Sequence, residues 1–254
     1  MTAGAPCIGL IVPPAGDQVP DDAAWLYGAR VRFIARSLGI AAVSPTGFAP
    51  VIAHVTDRAR ELRDRGAQAI SLMGTSISFY RGPAFTEDLR SAMEAASGVP
   101  CTTMSHGIVA GLRTLGLRRV AVATAYIDEL NDRLVDYLTH SGFEVTAVRG
   151  LAITAVPEVH AVTPATLIDL AQAAFAERPG ADGVFISCGG LQTREVIEPA
   201  EAILGVPVTA SSPSGFWDVM RVAGLDASAQ GYGRLLRLKT GDPGARAAAA
   251  PGPR

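Results

Sequence analysis

The sequence predicts an α/β protein built from two pseudo-symmetric lobes, each a parallel sheet flanked by helices, with a ligand-binding cleft between them. Short apolar runs typical of buried parallel strands alternate with segments whose apolar residues have helical spacing. Similar segments recur at offsets of about 107 to 114 residues, which indicates a duplicated unit. One strand in the second half ends abruptly at Cys188-Gly189-Gly190, and such strand ends are where α/β sheets bind ligands.

The first half begins with a predicted strand over residues 7–12, which Pro13 and Pro14 close because proline cannot donate to a β-ladder. The following predicted elements are helix 21–38, strand 40–43, helix 51–65, strand 69–73, helix 86–96, strand 99–103 and helix 107–115. A sustained β-α-β-α order favours a parallel sheet with helices on both faces.

The second half repeats this order. Its predicted elements are strand 120–124, helix 127–138, strand 143–148, a helix opened by Thr163 and Pro164, a strand centred on 184–186, helix 191–204 and a strand at 205–208. We therefore expect one lobe over residues 1–116 and a second over 117–239. Whether the end of the second lobe packs on the first is left open. Residues 240–254 have too little apolar surface to fold, so they are predicted to be a disordered tail.

Composition limits the classes of function. The net charge of −2 gives no basic surface for nucleic acid. No apolar run is long enough for a membrane span and the N-terminus lacks a secretory pattern, which predicts a cytoplasmic protein without a membrane partner. The three cysteines are therefore expected to be free thiols.

Chemistry that depends on a cofactor is not indicated. Lys239 is the only lysine, so Schiff-base and phosphate-loop lysines are nearly excluded. The four histidines are scattered without metal-ligand spacing, which predicts no metal site, and His106 is expected on the surface. No GxGxxG follows a strand.

Cys188 is the first candidate functional residue. If a helix begins directly after Gly190, its free amides would attract an anion and lower the pKa of the thiol. The thiol would then be placed for chemistry on an anionic substrate. The alternative is that Cys188 is simply a small buried apolar residue.

The duplication matches Cys188 with Gly74. Two thiols at these positions would form a two-base site, whereas a single thiol leaves proton delivery from one side. Neutral donors at neighbouring strand ends, from Thr75, Ser76, Tyr126 and the amides of Gly189 and Gly190, would stabilise a carboxylate or enediolate. The alternatives are that Thr75 and Ser76 cap a helix and that Tyr126 only packs.

Four blocks of sequence give more specific evidence about function. They are Gly-Thr-Ser at 74–76 with Phe-Tyr-Arg-Gly at 79–82, Ala-Thr-Ala-Tyr-Ile-Asp at 123–128, Ser-Cys-Gly-Gly-Leu at 187–191 and Ser-Ser-Pro-Ser-Gly-Phe-Trp-Asp at 211–218. Together they resemble the arylmalonate decarboxylases of the aspartate/glutamate racemase superfamily, over about residues 8 to 235. The resemblance implies two flavodoxin-like lobes and a cofactor-free carboxy-lyase that converts disubstituted arylmalonates to chiral 2-arylpropionates.

The resemblance also implies a site. One carboxylate of the malonate would sit beside Gly74 among Thr75, Ser76, Tyr126, Cys188, Gly189 and Gly190, with Cys188 as the proton donor. The other would lie in an apolar pocket of Pro14, Ile40, Val43, Ile77, Val156 and Val159. The family usually has leucine at positions 40 and 77 and methionine at 159, so we expect altered substrate scope and rate here.

Two other functions stay open. A racemase or maleate cis-trans isomerase of the same superfamily would need a second thiol where this chain has Gly74. A two-lobed protein that binds a small carboxylate without chemistry would need only the donors. In each case the expected partner is a small-molecule carboxylate, and a monomer is favoured. The natural substrate is not specified by the sequence.

Overall fold

The computed structural model describes residues 4–40, 44–48, 50 and 52–239. The strands are β1 (Cys7–Val12), β2 (Arg32–Ser37), β3 (Ala69–Leu72), β4 (Cys101–Thr103), β5 (Arg119–Thr124), β6 (Glu144–Gly150), β7 (Gly183–Ser187) and β8 (Val208–Ala210). The α-helices are α1 (Asp22–Tyr27), α2 (Pro45–Phe48), α3 (Val55–Asp64), α4 (Thr75–Phe79), α5 (Gly82–Ser97), α6 (Met104–Thr114), α7 (Asp128–His140), α8 (Val156–His160), α9 (Pro164–Glu177), α10 (Ile197–Leu204), α11 (Ser211–Val222) and α12 (Gly233–Arg237). The predicted tail, 240–254, lies outside the described residues.

The strands form two four-stranded parallel sheets with the same topology. Their orders are β2-β1-β3-β4 and β6-β5-β7-β8. In the first sheet Ile8 lies beside Ala69, and in the second Val120 lies beside Gly183. Gly74 and Cys188 stand at the same separation from these paired residues, so they are equivalent positions. The predicted two-lobe α/β fold is confirmed.

The central strands of both sheets are covered on both faces. Every residue of β3 and of β7 is buried, as expected for parallel strands between layers of helices. Residues 74–76 follow β3 and Cys188 follows β7, at the carboxyl edges of the two sheets. The fold thus concentrates its chemistry-bearing side chains at one edge of each sheet.

The predicted helix 21–38 is correct only in its first part. Helix α1 ends at Tyr27, Gly28 takes a positive φ of 43°, and the chain enters β2, which pairs with β1 along its length. Strand β2 is the edge strand of its sheet, with exposed or half-buried residues at both ends, so it lacks a continuous apolar run. Of the predicted strand 40–43, only Ile40 lies within the described residues.

The helix predicted over 191–204 is also only half correct. Helix α10 starts at Ile197, and residues 188–196 form turns and loop instead. The other predicted elements overlap observed ones, with shifted ends. Thr163 does cap α9, because its side chain accepts a hydrogen bond from the amide of Thr166 at 3.2 Å.

The lobes join through the equivalent helices α6 and α11, which pack on each other. Their close approach depends on Gly107, where an added Cβ would lie 2.6 Å from the carbonyl oxygen of Ser214. The chain after Leu225 returns to the first lobe: Tyr27 Oη donates to the Ala227 carbonyl at 2.9 Å and Arg30 Nη2 to the Ser228 carbonyl at 2.8 Å. Within the described ranges, no helix has both the length and the apolar character needed to cross a membrane.

Candidate active site

A cavity of about 390 Å³ lies at the carboxyl ends of the strands and draws its walls from both lobes. Its lining comes from the segments after β1, β3, β5 and β7 and from α8. The lining includes these residues singled out in the sequence: Pro14, Ile40, Gly74, Thr75, Ser76, Ile77, Tyr126, Val156, Val159, Cys188, Gly189 and Gly190. Val43 lies outside the described residues. Side chains far apart in sequence therefore share one cavity.

Cys188 follows β7 directly and has an unusual backbone conformation. Its φ of 135° is a region that residues with a side chain rarely adopt, at a typical cost of about 1–3 kcal/mol. Two hydrogen bonds hold it: its amide donates to Ser211 Oγ at 3.2 Å, and its carbonyl accepts from the amide of Leu191 at 3.2 Å. This turn aims the thiol at the cavity instead of letting the strand continue.

Burial raises the pKa of the Cys188 thiol to about 11. The amides of Gly190 and Leu191 and the hydroxyl of Tyr126 favour the thiolate and so lower the pKa, but burial is the larger effect. The expectation of a lowered pKa is therefore wrong. Helix α10, whose free amides would lower the pKa of the thiol, begins only at Ile197, and the thiol itself is buried away from water. At neutral pH Cys188 holds its proton and is an acid.

Tyr126 follows β5 and is fully buried beside Cys188. Ser187 Oγ donates to its hydroxyl oxygen at 3.5 Å, and Thr75 and Ser76 line the same cavity. Burial, followed by the nearby Cys188, raises the pKa of Tyr126 well above 10. The phenol is therefore neutral and available as a donor.

Thr75 and Ser76 occupy the first turn of α4. The residue that precedes this helix is Gly74, which provides no capping side chain, so the alternative that Thr75 and Ser76 cap the helix is wrong. Thr75 Oγ1 donates to the sulfur of Met104 at 2.8 Å, across the junction with α6. This contact fixes one of the two hydroxyls next to Tyr126.

The glycines of the site are tightly enclosed. A Cβ on Gly74 would lie 2.5 Å from Ile77 Cγ2 and 2.7 Å from Pro13 Cγ. One on Gly189 would lie 3.0 Å from the sulfur of Met104. At equivalent positions the first lobe therefore has Gly74, which has no side chain, and the second lobe has the thiol of Cys188.

Cys188 supplies the only thiol among the described lining residues. Cys7 and Cys101 are buried at the starts of β1 and β4, at the opposite edge of the sheet from the cavity. Cys101 Sγ donates to the carbonyl of Val99 at 3.3 Å. Neither can serve as a second proton carrier at the cavity.

One wall of the cavity is apolar. Ile40, Ile77 and Val159 are buried there, with Pro14 and Val156 half-buried beside them. The backbone fixes the position of Ile40, because its amide donates to the carbonyl of Pro13 at 2.8 Å. A substrate group on this wall is separated from water without gaining hydrogen bonds from these side chains.

Many residues that line the cavity were not predicted from the sequence. The unpredicted lining residues are Val12, Pro13, Ala15, Gly16, Gln18, Val19, Pro20, Asp21, Asp22, Phe48, Met73, His160 and Gln192. The segment 15–22 follows β1 at a carboxyl end, so the rule that pointed to Thr75 and Cys188 could have indicated it. No motif in the sequence around His160 or Gln192 indicates that these residues line a site.

Asp22 connects this rim to the C-terminal part of the chain. Its carboxylate accepts hydrogen bonds from Ser212 Oγ and, at 2.6 Å, from Tyr232 Oη. Among the described residues, no group of three or more histidine, cysteine, aspartate or glutamate side chains has the arrangement of a metal site. The chemistry available at the cavity is therefore that of neutral hydrogen-bond donors, one thiol and an apolar wall.

The fold and cavity define a two-lobed α/β enzyme of the aspartate/glutamate racemase type, with a cysteine at a strand end of the second lobe. A family model described as arylmalonate decarboxylase matches residues 8–236. An arylmalonate decarboxylase from Bordetella bronchiseptica is 52% identical over 235 residues, which cover 92% of this chain and 98% of that protein. The chain belongs to the arylmalonate decarboxylase family.

Solved structures and more distant relatives agree with this. The liganded Gly74Cys-Cys188Ser mutant of arylmalonate decarboxylase superposes with a TM-score of 0.90 at 51% identity, covering 92% of this chain and 99% of that one. A maleate isomerase from Nocardia farcinica is 28% identical over 91% of this chain and 95% of its own length. The similarity to this isomerase thus extends along nearly the whole chain.

Proposed function

We propose that the protein decarboxylates disubstituted arylmalonates to chiral 2-arylpropionates and CO₂, without a cofactor. Family membership supports the reaction class. The observation that carries the mechanism is a single, protonated thiol that shares one cavity with neutral donors and an apolar wall. Each of these three parts has a distinct task.

The apolar wall drives loss of CO₂. A carboxylate placed against Ile40, Ile77 and Val159 loses its water and gains no hydrogen bonds from these side chains in return. Breaking the bond between this carboxylate and the central carbon releases neutral CO₂, which has no such penalty. The electron pair of that bond stays with the central carbon.

The donor cluster receives the charge that develops. The electron pair delocalises onto the remaining carboxylate as an enediolate, and the hydroxyls of Ser76 and Tyr126 donate to its oxygens. The Thr75 hydroxyl joins them when it turns away from the sulfur of Met104. Tyr126 suits this task because its raised pKa keeps it from ionising beside a dianion. The donor side chains are buried and held in place before the reaction, so the turn of one hydroxyl is the main reorganisation needed.

Cys188 completes the reaction. The enediolate carbon takes the thiol proton, giving the 2-arylpropionate and a thiolate, which recovers a proton from water. The amides of Gly190 and Leu191 and the hydroxyl of Tyr126 are the groups that favour this thiolate. Because no second thiol stands at Gly74, protonation takes place on one face and yields one enantiomer.

The two alternatives are disfavoured by particular features. A racemase or isomerase would need a second thiol in the cavity, and Cys7 and Cys101 are not among the described lining residues. A protein that only binds a carboxylate would not need a strained, buried thiol at the strand end. The proposed substrate class is a small dicarboxylate.

Further properties stay predictions. A monomeric state, a cytoplasmic location, independence of cofactors and a changed substrate scope from Ile40, Ile77 and Val159 are expected from the sequence. Light scattering, cell fractionation, assays with EDTA and a panel of substituted malonates test them in turn.

The deciding experiment is turnover of 2-methyl-2-phenylmalonate in deuterated buffer, with and without EDTA. We expect CO₂ release that EDTA does not affect and a single enantiomer of 2-phenylpropionate carrying deuterium at the α-carbon. Cys188→Ala should lose activity by about 10²- to 10⁴-fold, the usual contribution of a general acid, whereas Cys101→Ala should retain it. Isomerisation of maleate, or binding without turnover, would reject the proposal.

A further inference from the structure

The cavity that is proposed to bind a dianion contains very little positive charge. Among its described lining residues there is no lysine or arginine, and Asp21 and Asp22 add negative charge. His160 is the one side chain of the described lining that can become a cation. A dicarboxylate that enters this cavity therefore depends on neutral donors and on the state of one imidazole.

His160 lies between the apolar wall of the cavity and the turn that carries Cys188. It is the last residue of α8, the helix that also brings Val156 and Val159 to the apolar wall. Its ring lies against Gly190: a Cβ on Gly190 would be 3.2 Å from His160 Nε2 and 3.2 Å from Cδ2. The imidazole is thus next to the turn that carries Cys188, yet it remains exposed to solvent.

We propose that His160 is a specificity-determining residue that attracts the negatively charged substrate when its imidazole is protonated. This inference rests on the proposed function, and Cys188 keeps its role as the acid. Decarboxylation conserves total charge, since the malonate dianion becomes an enediolate dianion and neutral CO₂. A cation at the mouth therefore stabilises the bound substrate and the transition state about equally, which changes KM and leaves kcat nearly unchanged.

The neighbouring charged groups do not produce the same pH dependence. Asp21 and Asp22 face the cavity with His160, and Glu158 shares its helix. Carboxylates as a class titrate below the range in which histidine changes charge. Burial raises the pKa of Cys188 to about 11 and that of Tyr126 well above 10, so neither loses a proton in that range.

The test is the pH dependence of KM and kcat for 2-methyl-2-phenylmalonate between about pH 6.5 and 8.5. It compares the parent protein with His160→Gln, which cannot become charged, and His160→Arg, which is always charged. His140→Gln is the matched control, because His140 is an exposed histidine of α7 outside the cavity lining. The ratio of parent to variant KM at each pH removes the titration of the substrate itself.

We expect the parent KM to rise about 1.5- to 4-fold across this range, the effect of one charge screened by nearby solvent. The KM ratio of His160→Arg to His160→Gln should stay constant, with the arginine variant binding more tightly. All kcat values should agree within about twofold. Parallel KM profiles for the parent and His160→Gln would overturn the inference.

A second measurement separates this inference from the proposed function. Calorimetric titration with 2-phenylpropionate at the same pH values reports carboxylate binding without turnover. Weakening of the parent Kd with rising pH, absent in His160→Gln, would support the role of His160 even if no malonate is decarboxylated. A pH-independent difference between the two proteins would contradict it.

Discussion

Adding one methyl group at Gly74 should destabilise this protein, and the structure identifies the responsible neighbour. Gly74 has φ −133° and ψ 112°, an extended conformation that alanine adopts without strain. The obstacle is contact: the new Cβ would be 2.5 Å from Ile77 Cγ2, whereas carbon atoms pack at about 3.5–4.0 Å. Either the new Cβ or Ile77 Cγ2 therefore has to move by about 1 Å.

Neither neighbour moves easily. Ile77 is 1% exposed and lies in α4, where a β-branched side chain has essentially one χ1 rotamer, so its Cγ2 cannot swing away. Pro13 Cγ, 2.7 Å from the new methyl, belongs to a ring. Overpacking of this kind costs about 1–3 kcal/mol, and Gly74→Ala should lower Tm by roughly 2–4 °C for each kcal/mol in a chain of this length.

A double-mutant cycle tests this cause. Ile77→Leu removes the atom at Cγ2 and keeps the side-chain volume, so the loss in Gly74→Ala should be smaller by at least about 1 kcal/mol in the leucine background. Urea unfolding of the parent, both single variants and the double variant gives the coupling energy. Gly4→Ala is the control, because no atom lies within 4 Å of the corresponding Cβ.

The reasoning fails if Gly74→Ala is as stable as the parent, or if the two substitutions are additive. Activity gives an independent check. If the methyl displaces Ile77 from the apolar wall, kcat should fall together with stability, and Ile77→Leu should recover both.

Three further predictions concern protonation and the contacts that join the lobes. Because Cys188 must be protonated to act and its pKa is raised to about 11, kcat should stay level from neutral pH to about pH 10 and fall above it; a decline near pH 8.5 in stopped-flow assays would contradict this. Tyr232→Phe removes a hydrogen bond to the Asp22 carboxylate and should cost about 1.5–3 kcal/mol in urea unfolding, with a raised KM because Asp22 lines the cavity; an unchanged unfolding midpoint would count against it. Gly107→Ala places a methyl 2.6 Å from the Ser214 carbonyl and should cost about 1–3 kcal/mol by calorimetric melting, more than the Gly4→Ala control.

Most of the strands could be predicted because their causes are local. A parallel strand buried on both faces is an apolar run, and the turns after β3 and β7 are visible as Gly74 and as Cys188 with its glycines. Where the physical cause is not local, prediction failed. Strand β2 is stabilised by pairing with β1 at the sheet edge. Its own sequence mixes polar and apolar residues and does not distinguish a strand from a helix.

The position of the cavity could likewise be predicted, but the electrostatics of the residues that line it could not. The rule that ligands bind at carboxyl ends led to Thr75, Tyr126 and Cys188, and all three line the cavity. The pKa of Cys188 depends instead on burial by chain segments distant in sequence and on where α10 begins. His160 was missed for the same reason, since only the fold places the end of α8 against Gly190.

Burial of Cys188 connects the two halves of the proposed reaction. An enclosed cavity strips water from the departing carboxylate and, by the same exclusion of water, keeps the proton on the sulfur until an enediolate forms. A thiol of low pKa would be an anion next to a dianionic substrate, which would oppose binding and leave no proton to give. The loop that replaces the expected helix start at Gly190 is therefore consistent with an acid, whereas a helix directly behind the thiol would favour a nucleophile or a base.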